Sequence, residues 1–188
     1  MAKTRKILLT LVIVGAAGAL ASVGVFSAFS STTSNPGNNF AAGTVTVGDN
    51  DAGAAAYDVS NAKPGDSDER CVKVTYAGSL SSTLTLYRSA FSGGTGLDDY
   101  VDLAITKGTG DQADCSDFSG STSVYAGELK SFPSSFGSGL SLTNGSGNAA
   151  WGQNDAVTYR IRATLQDDNA AQGLTAGTHS FTWEARNN

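Results

Sequence analysis

The chain has 188 residues, with 12 Lys and Arg against 17 Asp and Glu, a net charge of −5 and a single histidine. That length suits one domain once any targeting segment is set aside, and the acidic balance disfavours nucleic acid and anionic lipid as partners. Twenty-three glycines against three prolines and one methionine, amid many Ser, Thr, Asn and Asp, favour short strands joined by turns over long helices.

Met1 to Phe29 has the three parts of an export signal: the basic start Met1-Ala2-Lys3-Thr4-Arg5-Lys6, the apolar run Ile7 to Val14 and a small-residue exit. Two cuts fit, one after Ala21 (Ala19-Leu20-Ala21) and one after Ser27 (Val25-Phe26-Ser27). The alternative is an uncleaved anchor, since Ile7 to Phe29 is long enough to span a bilayer core of about 30 Å. The first acid is Asp49, so removing Lys3, Arg5 and Lys6 leaves 9 bases against 17 acids, a net charge of −8. Contact with membrane is then expected of the precursor alone.

Beyond either cut, Ala28, Phe29 and the polar, β-compatible run Ser30, Ser31, Thr32, Thr33 and Ser34 lead into Asn35-Pro36-Gly37-Asn38. This reads as an arm (28–38) followed by a hinge, or else as a loose mature terminus. Phe40 opens the domain proper (39–188), with early strand signals at Val45 and Val47 and a weaker one over Tyr57 to Val59. Lys63-Pro64-Gly65-Asp66 suits a type II turn, because Pro sets the first central φ and Gly tolerates the positive second one. Arg70 to Ala77 and Thr83 to Ser89 alternate in polarity around Gly78-Ser79 and read as a hairpin-like pair.

Val101, Leu103 and Ile105 form another alternating run, Val124 to Leu129 a weaker one. The clearest strands come last: Ala156 to Gln166, where Val157, Tyr159, Ile161, Ala163 and Leu165 share one face, and Thr178 to Arg186 with His179, Phe181, Trp183 and Ala185. Between them, Asp167-Asp168-Asn169 with Gly173 and Gly177 reads as a loop with one short helical turn. Gly- and Ser-rich stretches at Ser92 to Gly96, Ser134 to Gly139 and Asn144 to Asn148 read as surface loops. About eight or nine short strands with almost no helix must bury their apolar faces sheet against sheet, so the expected fold is an all-β antiparallel sandwich.

Cys71 and Cys115 both fall in the exported part, where an oxidising compartment makes one intramolecular bridge the expected state. Chemistry-bearing constellations are scarce. A catalytic zinc calls for at least two His with a carboxylate or a third His, whereas His179 stands alone and no HExxH run occurs. A Ser/His/Asp arrangement would need the same His179, which alternation sets beside Phe181 and Trp183 on an apolar face. No catalytic residue, metal or cofactor is expected, although Asp49-Asn50-Asp51 and Asp167-Asp168-Asn169 have the composition of weak ion sites. Trp151, after the Asn144 to Asn148 loop, has two readings: an exposed platform for a glycan, or an anchor packed where the chain enters the Ala156 strand.

Several motifs together resemble the TasA/camelysin family. Val25-Phe26-Ser27-Ala28-Phe29-Ser30 is similar to its signal exit, and Phe40-Ala41-Ala42-Gly43-Thr44-Val45 to its F-x-A-G-T first strand. Asn61-Ala62-Lys63-Pro64-Gly65-Asp66 is similar to its N-x-KPGD turn, Gly78-Ser79-Leu80 to the G-S-L that follows, and Phe181-Thr182-Trp183-Glu184-Ala185 to its closing F-x-x-E-A strand. The resemblance implies processing between Ser27 and Ala28 by a SipW-type signal peptidase and a jelly-roll-like sandwich. It also implies a secreted, extracellular subunit of biofilm-matrix fibres. These would grow head-to-tail as a homopolymer by donor-strand complementation, with Ala28, Phe29, Ser30, Ser31, Thr32 and Thr33 as the donor. The cysteine pair is not part of that pattern. Some relatives carry a metallopeptidase name, and an adhesion or carbohydrate-binding module is the other class the sequence allows.

Overall fold

Period-two alternation along the longer strands decides which side chains turn inward, and the computed structural model, which describes residues 43–50, 55–57 and 61–187, has nine strands there. These are β1 (Val47–Asp49), β2 (Ser67–Tyr76), β3 (Ser82–Arg88), β4 (Val101–Thr109), β5 (Ser119–Glu128), β6 (Leu140–Leu142), β7 (Ala150–Trp151), β8 (Ala156–Leu165) and β9 (Phe181–Asn187). One sheet runs β1-β2-β8-β4-β5, every neighbour antiparallel. In the other, β3 pairs with β9 over residues 82–88. A strand has two edges, so the opposite edge of β3 takes β6 (at Leu84–Leu86) and β7 (at Ser82 and Thr83) in succession.

The faces turned toward each other build one core. Val72, Val74, Tyr76, Leu103, Ile105, Val157, Tyr159 and Ile161 come from the first sheet, and Leu84, Leu86, Leu142 and Trp151 from the second. The expected all-β antiparallel sandwich is therefore the observed fold. Between β5 and β6 a short 3₁₀ turn, Leu129–Ser131, drops Leu129 and Phe132 into that core. The Phe132 ring meets Tyr125 and Phe181 edge-on, with centroids 4.8 and 5.4 Å apart, an arrangement favoured by the ring quadrupoles.

One sequence expectation is overturned. Arg70 to Ala77 and Thr83 to Ser89 do form strands, but β2 and β3 are not a hairpin: they lie in different sheets. The 77–81 link crosses from one to the other, held from inside by Tyr76, whose hydroxyl bonds Leu80 O and lies 2.7 Å from Ser82 Oγ. A turn signal marks where a strand ends, not which partner the next one takes. The last strand is also shorter at its start than the alternation indicates: β9 begins at Phe181, and Thr178 makes only an isolated bridge to Ser92.

Other local features follow the sequence. Gly65 has φ 84°, and Asp66 N donates to Lys63 O at 2.9 Å, closing the Pro64-Gly65 turn. The helical turn after Asp167 is Asn169–Ala171, capped by the Asp168 side chain, which accepts from Ala170 N at 2.8 Å. Cys71 in β2 is bridged to Cys115 with Cα atoms 5.1 Å apart, pinning the 110–118 loop to the sheet.

Candidate functional site

The two edge strands β5 and β6 define an open seam of the sandwich. Among the described residues β5 pairs only with β4, and β6 only with β3. Their outer edges therefore present backbone groups that an added strand can satisfy. Between them lies a groove of about 250 Å³, lined by Lys107, Thr122, Val124, Leu140, Leu142 and Tyr159 with intervening residues of β5 and β6.

Strand periodicity places these side chains. On β4, Leu103 and Ile105 are buried, and Lys107, two residues further, continues the inward series. On β8 the inward series is Val157, Tyr159, Ile161. Register sets Thr122, Lys107 and Tyr159 opposite one another across β5, β4 and β8, a row of three polar-tipped side chains. A register shift between Ile105 and Thr106 inserts Val124 as an extra residue on β5, a bulge of the kind that ends regular pairing at an edge.

Lys107 spans the seam. Its ammonium donates to Thr143 Oγ1 at 2.8 Å and to Asn144 O at 2.5 Å, and desolvation pulls its pKa below the usual lysine value. The receiving turn is rigid: buried Asn144 accepts from Ser146 N and Asn148 N at 3.1 and 2.9 Å and donates to Asp155 Oδ2 at 2.9 Å. Tyr159 sits beside Lys107 with none of its surface exposed, and its hydroxyl has no hydrogen-bond partner. Burial raises its pKa far above the ordinary phenol value, so the O–H keeps its proton.

The other residues singled out from the sequence fall elsewhere. Ser27, Ala28, Phe29, Ser30, Ser31, Thr32 and Thr33 lie outside the described residues, as do Asp51, Asp58 and Val59. Trp151 is fully buried and donates from Nε1 to Leu142 O at 3.1 Å, so the platform reading gives way to the anchor reading. Asn50 bonds Asp111 O and accepts from Lys73 N at 2.8 Å, which makes it a structural tie. His179 is half-buried, its Nε2 2.5 Å from the Tyr57 hydroxyl and its ring edge-on to Phe91 and Phe181. Burial and the nearby Arg88 lower its pKa. The seam itself was missed in the sequence, because β6 is only three residues long and Lys107 reads there as an ordinary surface charge.

The fold and the seam define an antiparallel β-sandwich in which, among the described residues, the outer edges of β5 and β6 are unpaired and flank a small groove. Residues 4–92 match the family described as camelysin metallo-endopeptidase. The match covers close to half of the chain and is consistent with the resemblance to the TasA/camelysin family. The motifs of that stretch meet in space: Thr44 N donates to Ser79 Oγ at 2.9 Å and Leu80 N to Thr44 O at 3.2 Å. The Leu80 side chain takes the place of a side chain at Gly43, where an added Cβ would lie 2.4 Å from Leu80 Cγ. No curated protein matches the chain.

The family description implies a metal, and the donor set does not fit one. Among the described residues no three His, Cys, Asp or Glu side chains converge. The single histidine is engaged by Tyr57, and both cysteines are used in the disulfide.

Proposed function

We propose that the protein is a secreted structural subunit of extracellular fibres, processed between Ser27 and Ala28 by a SipW-type signal peptidase. Its arm, residues 28–38, enters the seam between β5 and β6 of the next copy. The single observation that carries this reading is the seam: two strand edges, unpaired among the described residues, beside a groove with apolar walls at Val124, Leu140 and Leu142. A strand laid along such an edge gains main-chain hydrogen bonds, and its alternate side chains fill the groove. Because arm and seam are different surfaces of one molecule, the contact is head-to-tail and need not close, so it generates filaments.

Electron microscopy of the purified chain beginning at Ala28 tests the reading. Filaments are expected, and deletion of 28–38 abolishes them. Separate globules at high concentration, with or without the arm, would overturn it. The metallopeptidase reading is supported by the family description alone.

A further inference from the structure

The chain's two cysteines, Cys71 and Cys115, join elements that the sheet order keeps apart. In the order β1-β2-β8-β4-β5, Cys71 lies on β2, whereas Cys115 sits in the 110–118 loop that links β4 to β5. To reach β2 the loop crosses β8, where the Thr158 hydroxyl donates to Gly110 O and the Arg160 guanidinium lies 5.0 Å from the Phe118 ring centre. At β2 its noncovalent ties are slight. Cys71 N donates to Ala113 O at 2.9 Å, Asn50 Nδ2 to Asp111 O at 3.1 Å, and Lys73 pairs with Asp111 at the surface, where solvent-screened ion pairs contribute little. The disulfide is the covalent hold.

The stretch of β5 next to that loop has little else to fix it. Ser119, Gly120, Ser121, Thr122 and Ser123 are all exposed, and the first side chain of β5 to be partly buried is Val124. Its ladder to β4 is interrupted twice, between Ile105 and Thr106 and between Lys107 and Thr109, each time with an extra residue on β5. Each such bulge leaves a residue unpaired and disrupts the ladder locally. Among the described residues no strand supports the other edge of β5. Yet Thr122 and Ser123 form part of the groove wall, so the shape of the seam on that side depends on where the loop is held.

Resting on the fibre reading above, we propose that the Cys71–Cys115 bridge is a redox latch on the seam. Oxidised, it holds the start of β5 where a second copy of the chain can dock; reduced, it lets residues 110–123 lift away, and the groove loses a wall. Cys71 is buried while Cys115 is partly exposed, so a dithiol reductant attacks at Cys115 Sγ. Cys71 leaves as a thiolate and takes a proton, and the second thiol of the reductant then closes its own disulfide and releases Cys115 as a thiol. A chain in a reducing compartment therefore lacks the finished seam, and assembly waits for an oxidising exterior.

The test compares the chain beginning at Ala28 before and after treatment with dithiothreitol, with the double variant Cys71→Ala, Cys115→Ala as a permanently open form. Hydrogen exchange reads the latch. On reduction, the amides of 119–123 that bond β4 exchange at close to the rate of unstructured chain, while those of Val157, Tyr159 and Ile161 in β8 stay protected, because they open only with the whole domain. The critical concentration for filaments rises in step and falls back on reoxidation. In the double variant it is high and indifferent to dithiothreitol. Protection kept at 119–123 after reduction, or lost at β8 to the same degree, overturns the latch. So does a critical concentration that ignores the redox state while 119–123 open. If the oxidised chain forms no filaments, the fibre reading fails and the assembly role with it, while the exchange data still decide whether the bridge holds β5.

Discussion

Lys107 and Tyr159 face each other across adjacent strands, Lys107 on β4 and Tyr159 on β8, both turned toward the opposite sheet. One uses its charge to tie the two sheets together at the seam, while the other keeps its hydroxyl unspent. An inward lysine in a sandwich is tolerated because its stem lies along apolar surface while its head finds oxygen partners. The pair gives the groove a rigid polar end. Lys107→Met is expected to loosen the 143–148 turn and to raise amide hydrogen exchange there before elsewhere, as a local opening.

The disulfide between Cys71 and Cys115 closes a loop with a sequence separation of 44. In the chain-entropy account such a bridge stabilises the fold by about 4 kcal/mol. Replacing both cysteines by Ala should lower the unfolding free energy measured in urea by about that amount. An unchanged midpoint would show that the 110–118 loop holds itself in place.

Trp151 is the largest fully buried side chain among the described residues, and its indole N–H donates to Leu142 O. Trp151→Ala is expected to cost about 3–5 kcal/mol, read by thermal or chemical unfolding. A variant that folded normally but lost affinity for an oligosaccharide would restore the binding-platform reading that burial argues against.

Where β4 and β5 pair, Gly108 and Gly120 meet backbone to backbone. A Cβ on Gly120 would lie 2.4 Å from both Gly108 Cα and Lys107 O, and neither can give way as a flexible side chain would. Gly120→Ala is expected to destabilise by about 1–3 kcal/mol through overpacking and to shift the β5 edge. Gly137→Ala, with nothing within 4 Å, serves as the control with little effect.

Acid sensitivity is expected from His179. Its pKa is lowered by burial and by Arg88 on β3, with Asp98 opposing and the Tyr57 hydroxyl in contact. A group whose folded pKa is depressed binds fewer protons in the native state. Its contribution is therefore fully present above the unfolded value near 6.5 and is lost as pH falls through the lower folded value. The melting temperature should fall as the pH is lowered from about 7 to about 5. His179→Leu should flatten that part of the profile, and an equally steep profile in the variant would assign the effect to other groups.

Much of the architecture was legible in the sequence. Val157, Tyr159, Ile161 and Ala163 announce β8 because half-buried strands impose period two, and Pro64-Gly65 announces its turn through φ alone. The assignment of strands to sheets was not legible. Gly78-Ser79 looks the same whether the chain folds back as a hairpin or crosses the sandwich, and the reach of Tyr76 to Leu80 and Ser82 that holds the crossing exists only in three dimensions. The seam was hidden for a related reason. Leu140–Leu142 and Ala150–Trp151 are too short to carry a period, and an inward Lys107 runs against the polarity rule used to find strands. Trp151 had two readings until its indole N–H was seen to have a buried carbonyl partner.

The central claim, that the arm of one copy occupies the β5–β6 seam of the next, is tested most directly by placing a photo-crosslinking amino acid at Phe29 in the assembled chain. The account predicts an intermolecular adduct on peptides containing Val124 or Leu140. Adducts confined to the same molecule, or to surfaces away from β5 and β6, would contradict it.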